Sequence, residues 1–441
     1  MNRNTVYAKR RKILLSQMGE GVAILANPPL CRRNGTDLDY PYRPDSDFWY
    51  LTGFHEPDAI LVLIAAPQKK SILFCTETPS EESRIFNGDV CGVTHAVDVY
   101  GFDEAYPLTK ADEMIPGLIA GKGTLRYFFG KRRDWNIRFL DWLNAARLYS
   151  PEISKTEDLR AIVSEMRLIK DVHEIAELTR AGVCTAKGAR SAMEKCRPGI
   201  FEYALEAEIQ KVFRENGCGR LPAFTSIVAG GANACTLHYV DNNCILKDGD
   251  LVLVDIGAEW NYYSGDVSRT FPVNGVFTEP QRALYDVVLD AQKKGINEVR
   301  TGKTVRDPHI AASRAITEGL VRLGILSGNV ETLLEEGLEP GSKVSFRRFF
   351  MHGTGHWLGL DTHDTGDYRD KDKHPRSYKP GMVVTVEPGL YIQPSPDVPE
   401  AFWNIGIRIE DDVLVTKGNP RVLTSFVPKE VKAIEALMKK R

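Results

Sequence analysis

Asp255 and Asp266 stand in VDIGAEWNYYSGDVSRTF (254–271), an apolar stretch rich in strand formers. Asp255 follows Leu251-Val252-Leu253-Val254, a run that predicts a strand buried on both faces. An ionised carboxylate in such a place is costly unless a hydrogen-bond network or a cation compensates it. Glu387, ending MVVTVE (382–387), and Glu410, ending NIGIRIE (404–410), repeat the anomaly. Period-two alternation groups Leu251, Leu253 and Asp255 on one face, and Val383, Thr385 and Glu387 on another. It also sets Arg408 and Glu410 opposite Ile405, Ile407 and Ile409. Taken singly, each acid reads as a strand-end residue that caps a loop or meets an arginine. Four of them, without four matching basic residues on the same strands, point instead to cations, and a pair of divalent ions would neutralise four charges.

Three of the nine histidines, His352, His356 and His363, lie in FFMHGTGHWLGLDTHDTG (349–366). The spacing of His352 and His356 imitates a zinc-binding helix. No glutamate follows His352, however, and Gly353, Gly355 and Gly359 oppose a helix. The glycines run G-x-G-x-x-x-G with no strand–turn–helix unit around them, which excludes a dinucleotide fingerprint. A lone histidine is usually a hydrogen-bonded structural residue, whereas three in one glycine-rich loop predict a site. His238 in TLHYV is a fourth candidate. Carboxylates with one or two imidazoles form a hard donor set that favours Mn²⁺ over a thiolate-type zinc centre, although Zn²⁺ and Co²⁺ would also bind. Two ions sharing bridging carboxylates generate hydroxide near neutral pH and clamp a tetrahedral intermediate, with spare histidines to polarise a carbonyl or pass protons. That is hydrolase chemistry.

The elements that must position these groups follow from length and periodicity. A chain of 441 residues predicts two domains. Residues 1–160 alternate helical patterns with the strand-like runs VAILA (22–26), AILVLIAA (59–66) and SILF (71–74), an α/β domain with a buried sheet. A join falls near 160–171, where Asp171 and Glu174 have capping-box spacing and Val172, Ile175, Leu178 and Val183 mark the apolar stripe behind them. A second helix is expected from Thr278 and Gln281, with Leu284, Val287, Val288 and Ala291 on one face. Long helices followed by β-rich stretches at 223–275 and 345–417 predict an α+β second domain.

Composition narrows the partners. With 43% hydrophobic and 26% charged residues and a formal charge of −2, the chain offers no electrostatic case for nucleic acid. No apolar run approaches a membrane span, and ILL near the basic start is too short for a signal h-region, so a cytoplasmic location is expected. The eight cysteines have no C-x-x-C pair and read as reduced, mostly buried thiols.

Asp255, Asp266, His356, Glu387 and Glu410, in the contexts VDIG, SGDVSRTF, HGTGHWLGLDTHD, TVEPGLY and GIRIEDD, resemble the proline-specific metallopeptidases of the pita-bread fold, the aminopeptidase P branch in particular. YPYRPDSDFWYLTGFHEP (40–57) resembles that family's signature near the N-terminus, so the likeness covers nearly the whole chain. It implies a creatinase-type α/β domain over 1–170 and an α+β pita-bread catalytic domain over 171–441. It implies removal of the first residue from peptides with proline second, through a hydroxide bridging two metals, usually Mn²⁺.

By the same resemblance Asp255 binds one metal, Asp266 and Glu410 bridge both, and His356 and Glu387 complete the other. Glu387 accepts the proton and later helps protonate the proline nitrogen. His352 and His363 contact the substrate and assist the tetrahedral intermediate, His238 lines the proline side, and Arg408 orients Glu410 and the nearby acids. Tyr391 and Tyr368 are expected around the pocket, and Asp37 near the substrate's free amine. The charged segment 369–379, including His374, departs from the family pattern and reads as a loop. Relatives imply a homodimer or homotetramer. Prolidase, which cleaves Xaa-Pro dipeptides, shares the ligands and is the nearest rival. Methionine aminopeptidase usually lacks a large first domain, creatinase lacks the ligands, and non-catalytic pita-bread binding modules typically lose them.

Overall fold

The computed structural model describes residues 3–77, 81, 84–85, 88–150, 153–219 and 221–439, with a division into two compact units between Arg167 and Leu168. The first unit is built on a six-stranded mixed sheet, in spatial order Glu104–Pro107, Lys70–Cys75, Ile60–Ile64, Val22–Ala26, Gly123–Tyr127 and Ile153–Asp158. The central pairs, Val22–Ala26 with Ile60–Ile64 and the latter with Lys70–Cys75, are antiparallel; the outer pairs are parallel. Ile60–Ile64 is buried at every position, as its unbroken apolar run predicts. The sheet packs Ile24, Val62 and Phe74 in one core with Ile115 and Ile119 of helix Ala111–Ile119 and Phe139 and Trp142 of helix Arg133–Tyr149.

The second unit carries four long helices, Val172–Lys195, Glu202–Glu215, Glu279–Glu298 and Asp307–Arg322. Both expected capping boxes form: Asp171 with Glu174, and Thr278 with Gln281. Leu284, Val287, Val288 and Ala291 are all buried. The stripe expected on the helix after Asp171 needs correction. Val172 is 85% exposed and Ile175 and Val183 are only partly buried; the buried face is Glu174, Glu177, Leu178, Ala181, Gly182, Thr185 and Ala189. Small residues win there because the Asp412 strand and the turn at Gly265 come close. A Cβ at Gly182 would approach the Asp412 carboxylate and Thr424, and one at Gly265 would strike the Ala181 backbone. The expectation of reduced thiols is corrected at one pair, since a disulfide joins Cys184 to Cys218.

Strands Ile227–Gly230, Leu251–Ile256 and Val267–Pro272 form an antiparallel sheet with Leu251–Ile256 in the middle. Two further chain segments each change partners midway. Val383–Val386 pairs with Asp411–Leu414, and the continuing strand Gly389–Ile392 pairs with Ile405–Arg408. Both segments break at one level, at Glu387-Pro388 on one side and Ile409-Glu410 on the other. Pro388 has no N–H for a ladder, which accounts for the break on its side.

Candidate metal centre

The coincident breaks free Glu387 and Glu410 from a regular ladder, and both carboxylates reach one cavity of about 700 Å³. Asp255, from the middle strand of the three-stranded sheet, and Asp266, just before its neighbour, line the same cavity, as do His238, His352, His356, His363 and Arg408. All nine candidate site residues therefore meet in one place. The loop 349–366 contains no helix beyond Phe349, in line with its glycines. A Cβ at Gly355 would lie 1.9 Å from the Thr385 carbonyl oxygen, so only glycine lets the His356 segment run against Val383–Val386.

Asp266 and Glu410 are 4% and 2% exposed. Burial, then the neighbouring Asp255, Asp412 and Glu387, pushes the Asp266 carboxyl well above the carboxylate range, against the pull of Arg408. Glu410 is raised likewise, by burial and then by Asp266, Glu387 and Asp255. Burial also raises Glu387, although His356 and Arg408 oppose it. Asp255 Oδ2 accepts from Arg408 Nη2 at 2.6 Å, while its Oδ1 is buried with no hydrogen-bond partner among the described residues. Arg408 also donates from Nε to Ser268 Oγ (2.9 Å) and from Nη1 to Tyr391 Oη (2.8 Å), and Ser268 Oγ donates to Glu410 Oε2 (2.8 Å). One guanidinium thus bonds Asp255 directly and reaches Glu410 through Ser268.

The imidazoles are oriented by carbonyl oxygens, which only accept. His356 Nδ1 donates to Trp357 O (3.0 Å), which turns Nε2 toward Asp266 Oδ2 and Glu387 Oε1, each 3.5 Å away. His352 Nδ1 donates to Gly353 O (2.7 Å), which leaves Nε2 to accept from Tyr391 Oη (2.9 Å). Burial, reinforced by Arg408, lowers His352 to about 3, so it stays neutral. His363 is lowered by burial and by His356 and His238, and its ring lies 4.2 Å from that of His356.

One donor atom each from Asp266, His356 and Glu410 can be chosen within 4.8 Å of one another. The orphaned Asp255 oxygen, the His356 Nε2 turned toward two carboxylates and the mutually repelling acids all fit divalent cations.

Several residues of this centre escape a motif search. Thr385 Oγ1 accepts from His356 N (3.1 Å) and donates to Glu387 Oε1 (3.2 Å), joining two of the five candidate ligands. Its place two residues before Glu387 was the available signal. Phe224, Ile227, Leu237 and Val240 form an apolar wall beside His238. Tyr391 meets His352 and Arg408, whereas Tyr368 stacks on Trp357 and accepts from its backbone N–H, off the main cavity. His374 is exposed in a turn organised by Asp370. Asp37 belongs to the other unit, exposed beside the hairpin strand Leu38–Asp39.

Residues 176–417 match Metallopeptidase family M24, and residues 7–127 match Aminopeptidase P, N-terminal domain. An Xaa-Pro aminopeptidase of Haemophilus influenzae is 43% identical over 434 residues, 98% of this chain and 96% of that protein. One from Escherichia coli is 42% identical over 440 residues, 98% of this chain and 97% of that protein. Among solved structures, Pseudomonas aeruginosa aminopeptidase PepP has a TM-score of 0.95 at 42% identity, covering 100% of this chain and 99% of that one. Escherichia coli aminopeptidase P with the inhibitor Pro-Leu has a TM-score of 0.93 at 41% identity, covering 99% and 98%.

Proposed function

The chain belongs to metallopeptidase family M24, and from that membership we propose that it releases the N-terminal residue from peptides whose second residue is proline. The observation that carries this reading is the convergence of four carboxylates and one imidazole nitrogen on one cavity, in a chain aligned over nearly its full length with Xaa-Pro aminopeptidases. The chain is a hydrolase with a creatinase-type α/β domain, proposed to span residues 1–170, and a pita-bread catalytic domain, proposed to span 171–441.

Asp255, Asp266, His356, Glu387 and Glu410 would hold two divalent ions. When bound, such a pair supplies Lewis acidity to the scissile carbonyl and water of lowered pKa. The hard donor set favours Mn²⁺. Glu387 opens on the cavity, with Thr385 donating to one oxygen and His352 Nδ1 3.9 Å from the other. It takes the proton of the attacking water and returns it to the proline nitrogen as the peptide bond breaks. His352 stays neutral and is braced by Tyr391 against the substrate, while His363, exposed in the cavity, steadies the oxyanion. His238 with Phe224, Leu237 and Val240 offers an apolar wall for the pyrrolidine ring. Arg408 offsets the acids through Asp255 and, via Ser268, Glu410. The reading takes a homodimer or homotetramer as the assembly and the cytoplasm as the compartment.

The decisive experiment incubates the Mn²⁺-loaded protein with Xaa-Pro-Yaa tripeptides and Xaa-Pro dipeptides and follows the products by mass spectrometry, with a chelated control. Release of the first residue from tripeptides, abolished by chelator, is the expected result. Preference for the dipeptide would make the chain a prolidase. Absence of metal-dependent cleavage of either would overturn the peptidase reading. Metal analysis of the protein as isolated and light scattering test the ion and the assembly.

A further inference from the structure

One wall of the cavity hangs on a buried acid that the reaction does not use. Leu237, His238 and Val240 belong to the segment 231–244, which after a 3₁₀ turn at Gly231–Cys235 has no regular secondary structure. Backbone without a ladder must find its hydrogen bonds elsewhere, or it will not keep one path. Here side chains of the segment, together with the backbone at its two ends, bond to one face of the helix Glu202–Glu215.

Glu202 is 0% exposed. Its Oε1 accepts from Gly230 N (2.8 Å) and Asn233 Nδ2 (3.1 Å), and its Oε2 accepts from Tyr239 Oη (2.8 Å) and Cys244 N (2.8 Å). None of these donors is a cation, so the carboxylate is held by four neutral groups, with the helix N-terminus behind it. The donors span both ends and the middle of the segment. One turn along the helix, Glu206 Oε2 accepts from Asn242 Nδ2 (2.9 Å). Asn242, itself buried at φ 46°, accepts from Val228 N and donates to Ser226 O, both at 2.9 Å. Two acids one turn apart thereby set the course of the chain on either side of His238.

We propose that Glu202 is a positioning residue for the proline-side wall, and that it governs substrate affinity rather than the chemical step. This rests on the reading of His238 and its apolar neighbours given above. A glutamine at 202 keeps the volume but turns one acceptor into a donor facing two donors, so two of the four bonds fail. Tyr239→Phe removes only the hydroxyl, and with it the bond to Glu202 and the weak contact with Cys244 Sγ (3.6 Å), and keeps the ring.

The test uses the Mn²⁺-loaded enzyme with an Xaa-Pro-Yaa tripeptide, and direct titration with the dipeptide Pro-Leu. Glu202→Gln is expected to raise KM roughly tenfold and weaken Pro-Leu binding by a similar factor, with kcat within about threefold and metal content unchanged. Tyr239→Phe is expected to move the same quantities about two- to fourfold. His238→Ala is the reference. If it raises KM while Tyr239→Phe and a folded Glu202→Gln leave KM and Pro-Leu binding alone, the proposal is overturned. Loss of kcat with KM unmoved in Glu202→Gln overturns it too. If His238→Ala itself leaves KM unmoved, the reading of the wall fails and the proposal falls with it. Should Glu202→Gln not fold, Tyr239→Phe decides alone.

Discussion

Glu410 and Asp411 are neighbours in the chain and equally hidden, at 2% and 0% exposure, but they look out on different surroundings. Asp411 Oδ1 accepts from Arg269 Nη2 (2.7 Å) and Thr424 Oγ1 (2.8 Å), and its Oδ2 accepts from Gln292 Nε2 (2.8 Å) and Lys429 Nζ (2.7 Å). Burial alone would raise this carboxyl, yet Arg269 and Lys429 overrule it and hold it below the usual range. Glu410 keeps one hydroxyl, from Ser268, among three other acids, and its carboxyl is pushed up. A buried acid whose lone pairs and charge are both answered by protein is architecture. One whose charge is unanswered is waiting for a partner, and that contrast separates the metal centre from the truss directly behind it.

The largest effect expected from this contrast is on activity. Glu410→Gln should lower kcat/KM roughly a thousandfold or more, because a neutral amide makes a poor ligand for a shared cation. The same change should leave the metal-free melting temperature unmoved or higher, since it removes an unpaired buried acid. A metal-free protein destabilised by this substitution as much as by one at Asp411 would erase the distinction.

Asp411→Asn should do the reverse. It strands Arg269 and Lys429 in the interior, and breaking a buried pair in this way costs about 3–5 kcal/mol. Urea unfolding of the metal-free protein measures it. Activity per folded molecule should fall far less than in Glu410→Gln. Between the two lies Thr385→Val, which cuts the link between His356 and Glu387 without touching a charge. Support of this kind is worth roughly 10–100-fold in metal affinity, read by competition with a chelator of known strength. An unchanged affinity would mean that the backbone alone sets the two ligands.

The difference between Glu410 and Asp411 was not legible in GIRIEDD. Both acids follow the same alternating strand, and the cations that answer Asp411 come from Arg269, 142 residues away, and Lys429, 18 residues on. What could be read was the local part: an acid ending an apolar run, glycines that forbid a helix around His352 and His356, and capping boxes at Asp171 and Thr278. The sheet change at Glu387 and Glu410 stayed hidden because a strand's end is written locally, whereas its change of partner depends on segments elsewhere in the chain. Partners set by tertiary contact were invisible for the same reason. They include Glu202 under the His238 loop, Cys184 against Cys218, and the small-residue face that displaced Val172 from the core.

The smallest effect is a sign. In the metal-free protein Asp266, Glu387 and Glu410 have raised carboxyls, so above about pH 4 the folded state holds protons that the unfolded state has released. Stability from these groups therefore declines as pH rises toward their folded values, by at most about 1.4 kcal/mol per pH unit for each proton. Asp411 acts in a separate window: its contribution is complete above the ordinary carboxylate range and is lost only as pH falls below it. His309 and His352, lowered by burial to about 4 and about 3, disfavour the folded state only as pH falls below 6.5. Above pH 6.5 the unanswered acids thus act without these three groups, and the metal-free melting temperature should drift down for as long as they keep their protons. With saturating Mn²⁺ it should hold or rise, because the ions displace those protons and bind more tightly as pH increases. Melting curves on both forms in matched buffers measure this, and parallel slopes would mean that the acids of the centre are already neutralised by the protein itself.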